Sequence, residues 1–349
     1  MQSDDILILK GIDVISLLAN RELQLIETVR AAYETHARGH SSLPHSLFLN
    51  FPGDGRNRII ALPAYLGDGF EVAGVKWVSS FPGNLDMNLD RASAVLIVNS
   101  RLTGRPEAII EGSVISAKRT AASAALAAQT LHDFDRPVRV GMIGCGLINF
   151  EIARMLQAAI PKIVGLTVFD LDPARALHFR DECQKAFNGI EVEIAGDADT
   201  VLRETSLVSF ATTASTPHID DLSICAPGTT VLHVSLRDLS PEVILSCDNI
   251  ADDIDHVCRA QTSIHLTEQK VGNRGFVRCT LADILLNREV KRKDPDAIAV
   301  FSPFGLGVLD IAVGKLVCEL AIEQGKGIVI ESFLPASWSD KNNSRATAR

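Results

Sequence analysis

The sequence predicts an α/β protein in which a doubly wound parallel-sheet domain accompanies a separate α+β domain. Three observations lead there. After Pro137, apolar runs of strand length alternate with helical patterns, which is the rhythm of βαβ units. Before Pro137, strand-like runs are broken by clusters of Gly, Pro, Asn and Asp, the chemistry of turns in a mixed sheet. The chain of 349 residues is long enough for two domains on the usual scale of roughly 100–200 residues each.

In order along the chain, residues 12–37 place apolar side chains at helical spacing and predict one or two helices. Strand-like runs follow at Ser46–Phe51, Arg58–Pro63, Phe70–Ser80 and Ala94–Asn99, separated by PGDG, LGDG, FPGN and RLTGRPE. Residues 111–131 are Ala-rich and predict a helix whose small side chains allow close packing. Buried parallel strands are predicted at Val138–Ile143, Val164–Phe169, Ser206–Ala211, Thr229–Ser235 and Ala297–Ser302. A last helix, about Val308–Gln324, is expected to return to the first domain. The boundaries expected are therefore 1–130 plus 308–335 for the α+β domain and 131–307 for the doubly wound one, with 336–349 a disordered polar tail.

Composition narrows the function classes. Hydrophobic residues at 46% and charged residues at 22% fit a protein with a sizeable core. A formal net charge of −9 argues against nucleic acid or an anionic membrane as a general partner. The start, MQSDDILILK, has no signal-peptide apolar run, and no apolar stretch reaches the ~20 residues that span a bilayer. A cytoplasmic location is expected. The seven cysteines are scattered and form no CxxC pair, and the nine histidines form no HExxH, so reduced cysteines and no metal site are expected.

The segment VRVGMIGCGLINFEIARML carries the chemistry. It reads strand, glycine turn, helix, with Gly144, Gly146, Leu147 and Ile148 at the turn. Glycine is demanded where the backbone bends sharply and approaches a pyrophosphate, which then meets the free N–H groups of the helix. Asn149 stands where the Rossmann fingerprint has its third glycine. The second strand ends at Asp170, about 20 residues beyond the turn, where an acid accepts hydrogen bonds from ribose hydroxyls. Asp170 would repel a 2′-phosphate, so NAD is expected over NADP; Arg175 nearby would blunt that preference. Thr212, Thr213 and Ser235 lie at strand ends on the ligand side of such a sheet, as cofactor contacts or as turn residues.

Beyond this motif, the blocks GVKWVSSFPGN (74–84), ISAKRTAASA (115–124), MIGCGLI (142–148), VSLRD (234–238) and SPFGLGVLDIAVG (302–314) resemble the ornithine cyclodeaminase/μ-crystallin family, in its order and over nearly all of 5–330. The phrases RIIALP, GVKW, DRASAVLIVN, RTAA and IGCGLI look most like its N-(2-amino-2-carboxyethyl)-L-glutamate dehydrogenases, which serve 2,3-diaminopropionate biosynthesis. That branch implies NAD-dependent oxidation of the glutamyl C–N bond, with water releasing 2-oxoglutarate and L-2,3-diaminopropionate. It implies a small amino-acid substrate, an upstream pyridoxal-phosphate (PLP) synthase as pathway neighbour, and a homodimer whose first domains, which bind substrate, join their sheets. The alternatives within the family are a cyclodeaminase, a related amino-acid dehydrogenase, or a non-catalytic NADPH-binding protein of the μ-crystallin kind.

The resemblance also implies roles for residues. Lys76 and Arg119 match the family's carboxylate-binding positions, and Arg58 is a third candidate. Asp238 matches the acid that handles protons, Lys76 stands with it as a catalytic candidate, and Asp310 matches a recurrent acid at the start of the last helix. Gly305 and Gly307 either let the backbone pass the nicotinamide or open that helix. Where ornithine enzymes carry an acid for the δ-ammonium, this chain has Ile60, and an aliphatic side chain cannot hold an ammonium. The family's Arg near residue 45 is also absent, leaving His45 or Arg58 to replace it.

Overall fold

The computed structural model describes residues 4–335, apart from the side chains of Arg56 and Leu85. The expected tail at 336–349 lies outside the described residues. By compactness the described residues divide into one unit of 4–19, 41–116 and 310–335 and another of 20–40 and 117–309. The expectation had placed 20–40 and 117–130 with the first group. The helix Glu22–Ala37 and most of the helix Ser113–Leu131 instead cluster with the second.

The first unit is built on an eight-stranded mixed sheet. Its order is Ile328–Ile330, Ile6–Leu9, Pro106–Glu111, Ala92–Ser100, Val72–Ser80 and Asp54–Leu66, with Ser41–Ser42 and Leu47–Phe51 both pairing onto the last. Only Ile6–Leu9 with Pro106–Glu111 is parallel; the other pairs are antiparallel. Unbroken register runs from Arg58↔Ser80 to Leu66↔Val72. Because side chains alternate between faces along a strand, Arg58, Ile60, Leu62, Lys76, Val78 and Leu96 share one face. The helix Gly307–Gln324 contributes its residues from Asp310 onward to this unit. It lies close to the sheet because glycines stand at the contact. A Cβ on Gly74 would meet the Ile97 carbonyl at 2.3 Å and Ile311 at 3.3 Å, and one on Gly314 would meet Leu96 at 2.3 Å.

The second unit contains an eight-stranded sheet that is parallel throughout. Its order is Glu191–Ile194, Ile163–Phe169, Val138–Ile143, Leu207–Phe210, Thr230–His233, Ala299–Ser302, Asp248–Ala251 and Val277–Thr280. Numbered by appearance, the first five run 3-2-1-4-5, the doubly wound order, whose switch point lies between Val138–Ile143 and Leu207–Phe210. The last strand in sequence then inserts beside the fifth and leaves two short strands outside it. The four central strands Val138–Ile143, Leu207–Phe210, Thr230–His233 and Ala299–Ser302 are buried on both faces, as their continuous apolar runs require. The Rossmann-type fold predicted from the sequence is the fold observed.

Candidate active site

At the switch point the glycine turn closes on the neighbouring strand. Gly144 has φ +93°, and a Cβ there would meet the Ala211 carbonyl oxygen at 2.6 Å, so no other residue fits without moving the main chain. Gly146 opens the helix Leu147–Ala159, and a Cβ on it would find only the Arg175 guanidinium, at 3.9 Å. That open side of the turn is where a pyrophosphate approaches in this fold. Leu147 is exposed and Ile148 half-buried beside it. Arg175 is exposed, as a solvated side chain should be, but its charge stands at the turn.

Asn149 explains its own departure from the fingerprint. Its buried amide donates to the carbonyls of Ile143 (3.1 Å) and Gly144 (2.7 Å) and accepts from Ser209 Oγ (2.7 Å). A glycine there would leave those carbonyls to other partners; the Asn stitches the turn to two strands. Asp170 is brought to the same turn, its Oδ2 accepting the Cys145 N–H at 2.7 Å and its Oδ1 that of Asp172 at 3.0 Å. Cys145 is buried, and burial, reinforced by the Asp170 charge, pushes its thiol up to about 12, so it stays protonated. Glycine turn, helix start and strand-end acid thus converge as a dinucleotide cradle, and the residues present fit NAD.

Asp238 lies beyond the strand Thr230–His233, in a turn where Leu236 takes φ +69° although it is not glycine. Strained backbone of this kind concentrates at functional sites. The Asp238 carboxylate is completely buried and accepts hydrogen bonds from the hydroxyls of Thr212 and Ser235, with His218 Nε2 3.2 Å from Oδ1 and His233 Nε2 3.3 Å from Oδ2. Burial opposes ionisation, but the contacts from His233, Ser235 and Thr212 outweigh it and hold the group well below the usual carboxylate range. The Asp238 N–H also points at His233 Nε2, at 3.2 Å. One nitrogen cannot accept that bond and donate to Oδ2 together; with Nε2 accepting, the ring N–H lies on Nδ1, toward Ser302 Oγ (3.2 Å). The hydroxyls of Thr212 and Ser235, expected at the cofactor, are therefore engaged by Asp238, whereas the Thr213 side chain is exposed.

Arg119 is buried, with its guanidinium against the backbone of Gly305, which has φ +92°. Gly305 is fixed in turn by Asp252, which accepts the N–H groups of Phe304 (2.9 Å) and Gly305 (2.7 Å); burial raises this enclosed acid above its usual range. Gly307 simply begins a helix. Sequence patterning gave no sign of Asp252.

In the first unit, Lys76 is buried and its Nζ lies 2.8 Å from Asp310 Oδ2 and 3.1 Å from Ser116 Oγ. Both acid and base were expected here, but as separate contacts to a ligand rather than as partners. Arg58 is half-buried on the same sheet face, two residues from Ile60, and its Nε is buried without a hydrogen-bond partner. Arg91 accompanies it. Burial, and after it the Arg58 charge, lowers the Arg91 guanidinium from its ordinary value. The pair escaped the sequence reading because it depends on strand pairing: Arg58 registers with Ser80, Ser80 with Ala92, and Phe81 N–H bonds to the Arg91 carbonyl. His45 is exposed and lies outside the named strands. No group of three or more metal-ligating side chains occurs among the described residues.

The class defined here is a Rossmann-type nucleotide-binding protein with a second, mixed-sheet unit that buries cations on one face. A model of the ornithine cyclodeaminase/mu-crystallin family matches residues 7–325, and the chain belongs to that family, as its motif blocks implied. An alanine dehydrogenase of Archaeoglobus fulgidus is 27% identical over 94% of this chain and 98% of its own. The N-((2S)-2-amino-2-carboxyethyl)-L-glutamate dehydrogenase of Staphylococcus aureus is 25% identical over 94% of this chain and 99% of its own. Among solved structures, the Thermococcus litoralis Delta(1)-pyrroline-2-carboxylate reductase in complex with NADH and L-proline superposes with a TM-score of 0.86 at 26% identity, covering 93% of this chain and 99% of its own.

Proposed function

We propose that this chain is an NAD-dependent oxidoreductase that opens the glutamyl C–N bond of N-(2-amino-2-carboxyethyl)-L-glutamate, yielding 2-oxoglutarate and L-2,3-diaminopropionate. The class of reaction, oxidation or reduction at an amino-acid CH–NH group, agrees with the relatives in both sequence and structure. NAD, when bound, supplies the hydride acceptor. Gly144, Gly146 and the helix start would hold its pyrophosphate, and Asp170 its ribose.

The observation that carries the choice of substrate is the Arg58–Arg91 pair. The two half-buried guanidiniums lie near enough for the Arg58 charge to disfavour that of Arg91, an anion between them would relieve this repulsion, and a guanidinium meets a carboxylate bidentately. Alanine or proline brings one carboxylate; the glutamyl adduct brings three. Ile60, on the same face, gives an ornithine ammonium no partner. Lys76 is neutralised by Asp310, so a carboxylate docking there shares the ammonium with that acid. Substrate supply then falls to a PLP-dependent synthase, as the resemblance implies.

A coupled NADH assay over the glutamyl adduct, ornithine, alanine and lysine tests this reading. NADH and 2-oxoglutarate in equal amounts are expected from the adduct. NADH from alanine alone, or proline from ornithine without net NADH, would contradict it.

A further inference from the structure

The acid matched to proton handling is sealed. Asp238 exposes none of its side chain, and its carboxylate is enclosed by Thr212, Ser235, His218 and His233. So enclosed a group does not meet a substrate directly. His218 does not share that enclosure, for its side chain is 44% exposed while its Nε2 remains on Asp238 Oδ1. Its placement is enforced by main chain. The N–H groups of His218 and Ile219 both donate to the Asp238 carbonyl at 2.9 Å, and the Ser240 N–H returns to the Ile219 carbonyl at 2.9 Å. Segments leaving two adjacent parallel strands are thereby laced together, and the imidazole is set beside the carboxylate at the ligand-binding end of the sheet.

We infer that His218 is the residue that takes and returns substrate protons, and that Asp238 is its positioning residue. The inference rests on the proposed amino-acid oxidation. Imidazole changes charge within the physiological range, whereas a carboxylate held strongly ionised makes a poor acid. With Nε2–H donated to Oδ1, the ring presents Nδ1 as the base, and the buried carboxylate stabilises the imidazolium that forms. His233 is the other titratable group on Asp238, and it is fully buried.

The ring first takes the proton of the substrate's secondary ammonium. The freed lone pair forms the C=N bond as the α-carbon loses its hydrogen with the bonding electrons to NAD. The ring gives its proton to solvent at its exposed edge and then takes one from the water that adds to the imine carbon. Finally it returns that proton to the departing nitrogen, the C–N bond breaks, and the hydroxyl proton leaves to solvent as the carbonyl forms.

Three proteins decide this: wild type, His218→Gln, which keeps a donor to Asp238 but no base, and Asp238→Asn. In His218→Gln, kcat should fall about 100-fold or more, in the range general acid–base catalysis supplies, with NADH affinity intact and partial rescue by added imidazole. Wild-type kcat and an unchanged pH profile in His218→Gln would overturn the inference. Imidazole 15N NMR supplies the readout free of turnover: the ring whose signals are lost in His218→Gln should carry its proton on Nε2 in wild type, facing Asp238 Oδ1, and lose that preference in Asp238→Asn, and signals unmoved in Asp238→Asn would refute the pairing. Should wild type oxidise no amino acid at all, the functional reading fails, while the NMR signals still decide the pairing.

Discussion

Asp170 is the residue whose meaning was most local, and so most legible. A strand-ending acid a fixed distance beyond a glycine turn is written in one contiguous stretch, and the structure brings its carboxylate to Cys145 N–H. Replacing it by Ala removes the charge that repels a 2′-phosphate and leaves Arg175 at the turn to attract one. The NADP-to-NAD preference in fluorescence titrations should then rise by about 10-fold or more, worth ~1.4 kcal/mol. Arg91 was illegible because its neighbour Arg58 is reached only through three paired strands. Arg91→Ala should raise KM for the glutamyl adduct about 10- to 100-fold, as loss of a charge-assisted hydrogen bond implies, while NADH affinity stays constant. Equal KM values would show that no carboxylate rests there. Thr212 and Ser235 teach the complementary lesson. Strand-end position was legible, but the direction of each hydroxyl was set by a turn around Leu236 that no propensity announces.

At the scale of elements, helices and long strands followed from periodicity, while the strands Glu191–Ile194, Asp248–Ala251 and Val277–Thr280 did not. Four residues of mixed polarity hold too little pattern to read; their existence depends on the sheet that receives them. The end of the helix Ser113–Leu131 carries a consequence for stability. His132 is buried beside it, its Nδ1 3.1 Å from Thr230 Oγ1, and burial, aided by Arg292, pushes it down to about 4. A group harder to protonate when folded stabilises fully above its unfolded value near 6.5, and that stabilisation is lost as pH falls toward 4, because the unfolded chain binds the proton first. Unfolding free energy should therefore drop by up to about 3 kcal/mol across that window. His132→Gln should flatten the slope in urea titrations at pH 7 and pH 4.5; an unchanged slope would assign the acid sensitivity elsewhere.

For the whole molecule, the first unit leaves an apolar row across four strands: Leu47, Ala61, Trp77 and Val95 register side by side, and Leu47, Trp77 and Val95 are exposed. Scattered exposed apolar residues are ordinary, but a contiguous row on a sheet face is not. We propose that a second copy of the chain covers it, in keeping with the homodimer that the family resemblance implies. Trp77→Arg should convert a dimer to monomer in sedimentation velocity with NADH binding retained; a monomeric wild type would refute the proposal. Of the two units, the start of the parallel sheet was legible as a change of rhythm near Pro137. Where the chain crosses between them was not, because residues 20–40 carry an ordinary amphipathic helix whose destination is decided by packing.

The proposed oxidation requires hydrogen to leave the glutamyl α-carbon with its electron pair for NAD. Adduct deuterated at that carbon, incubated with enzyme and NAD, should yield NADH carrying one deuterium at C4 of the nicotinamide, with 2-oxoglutarate formed in equal amount. Release of 2-oxoglutarate with unlabelled cofactor would contradict it.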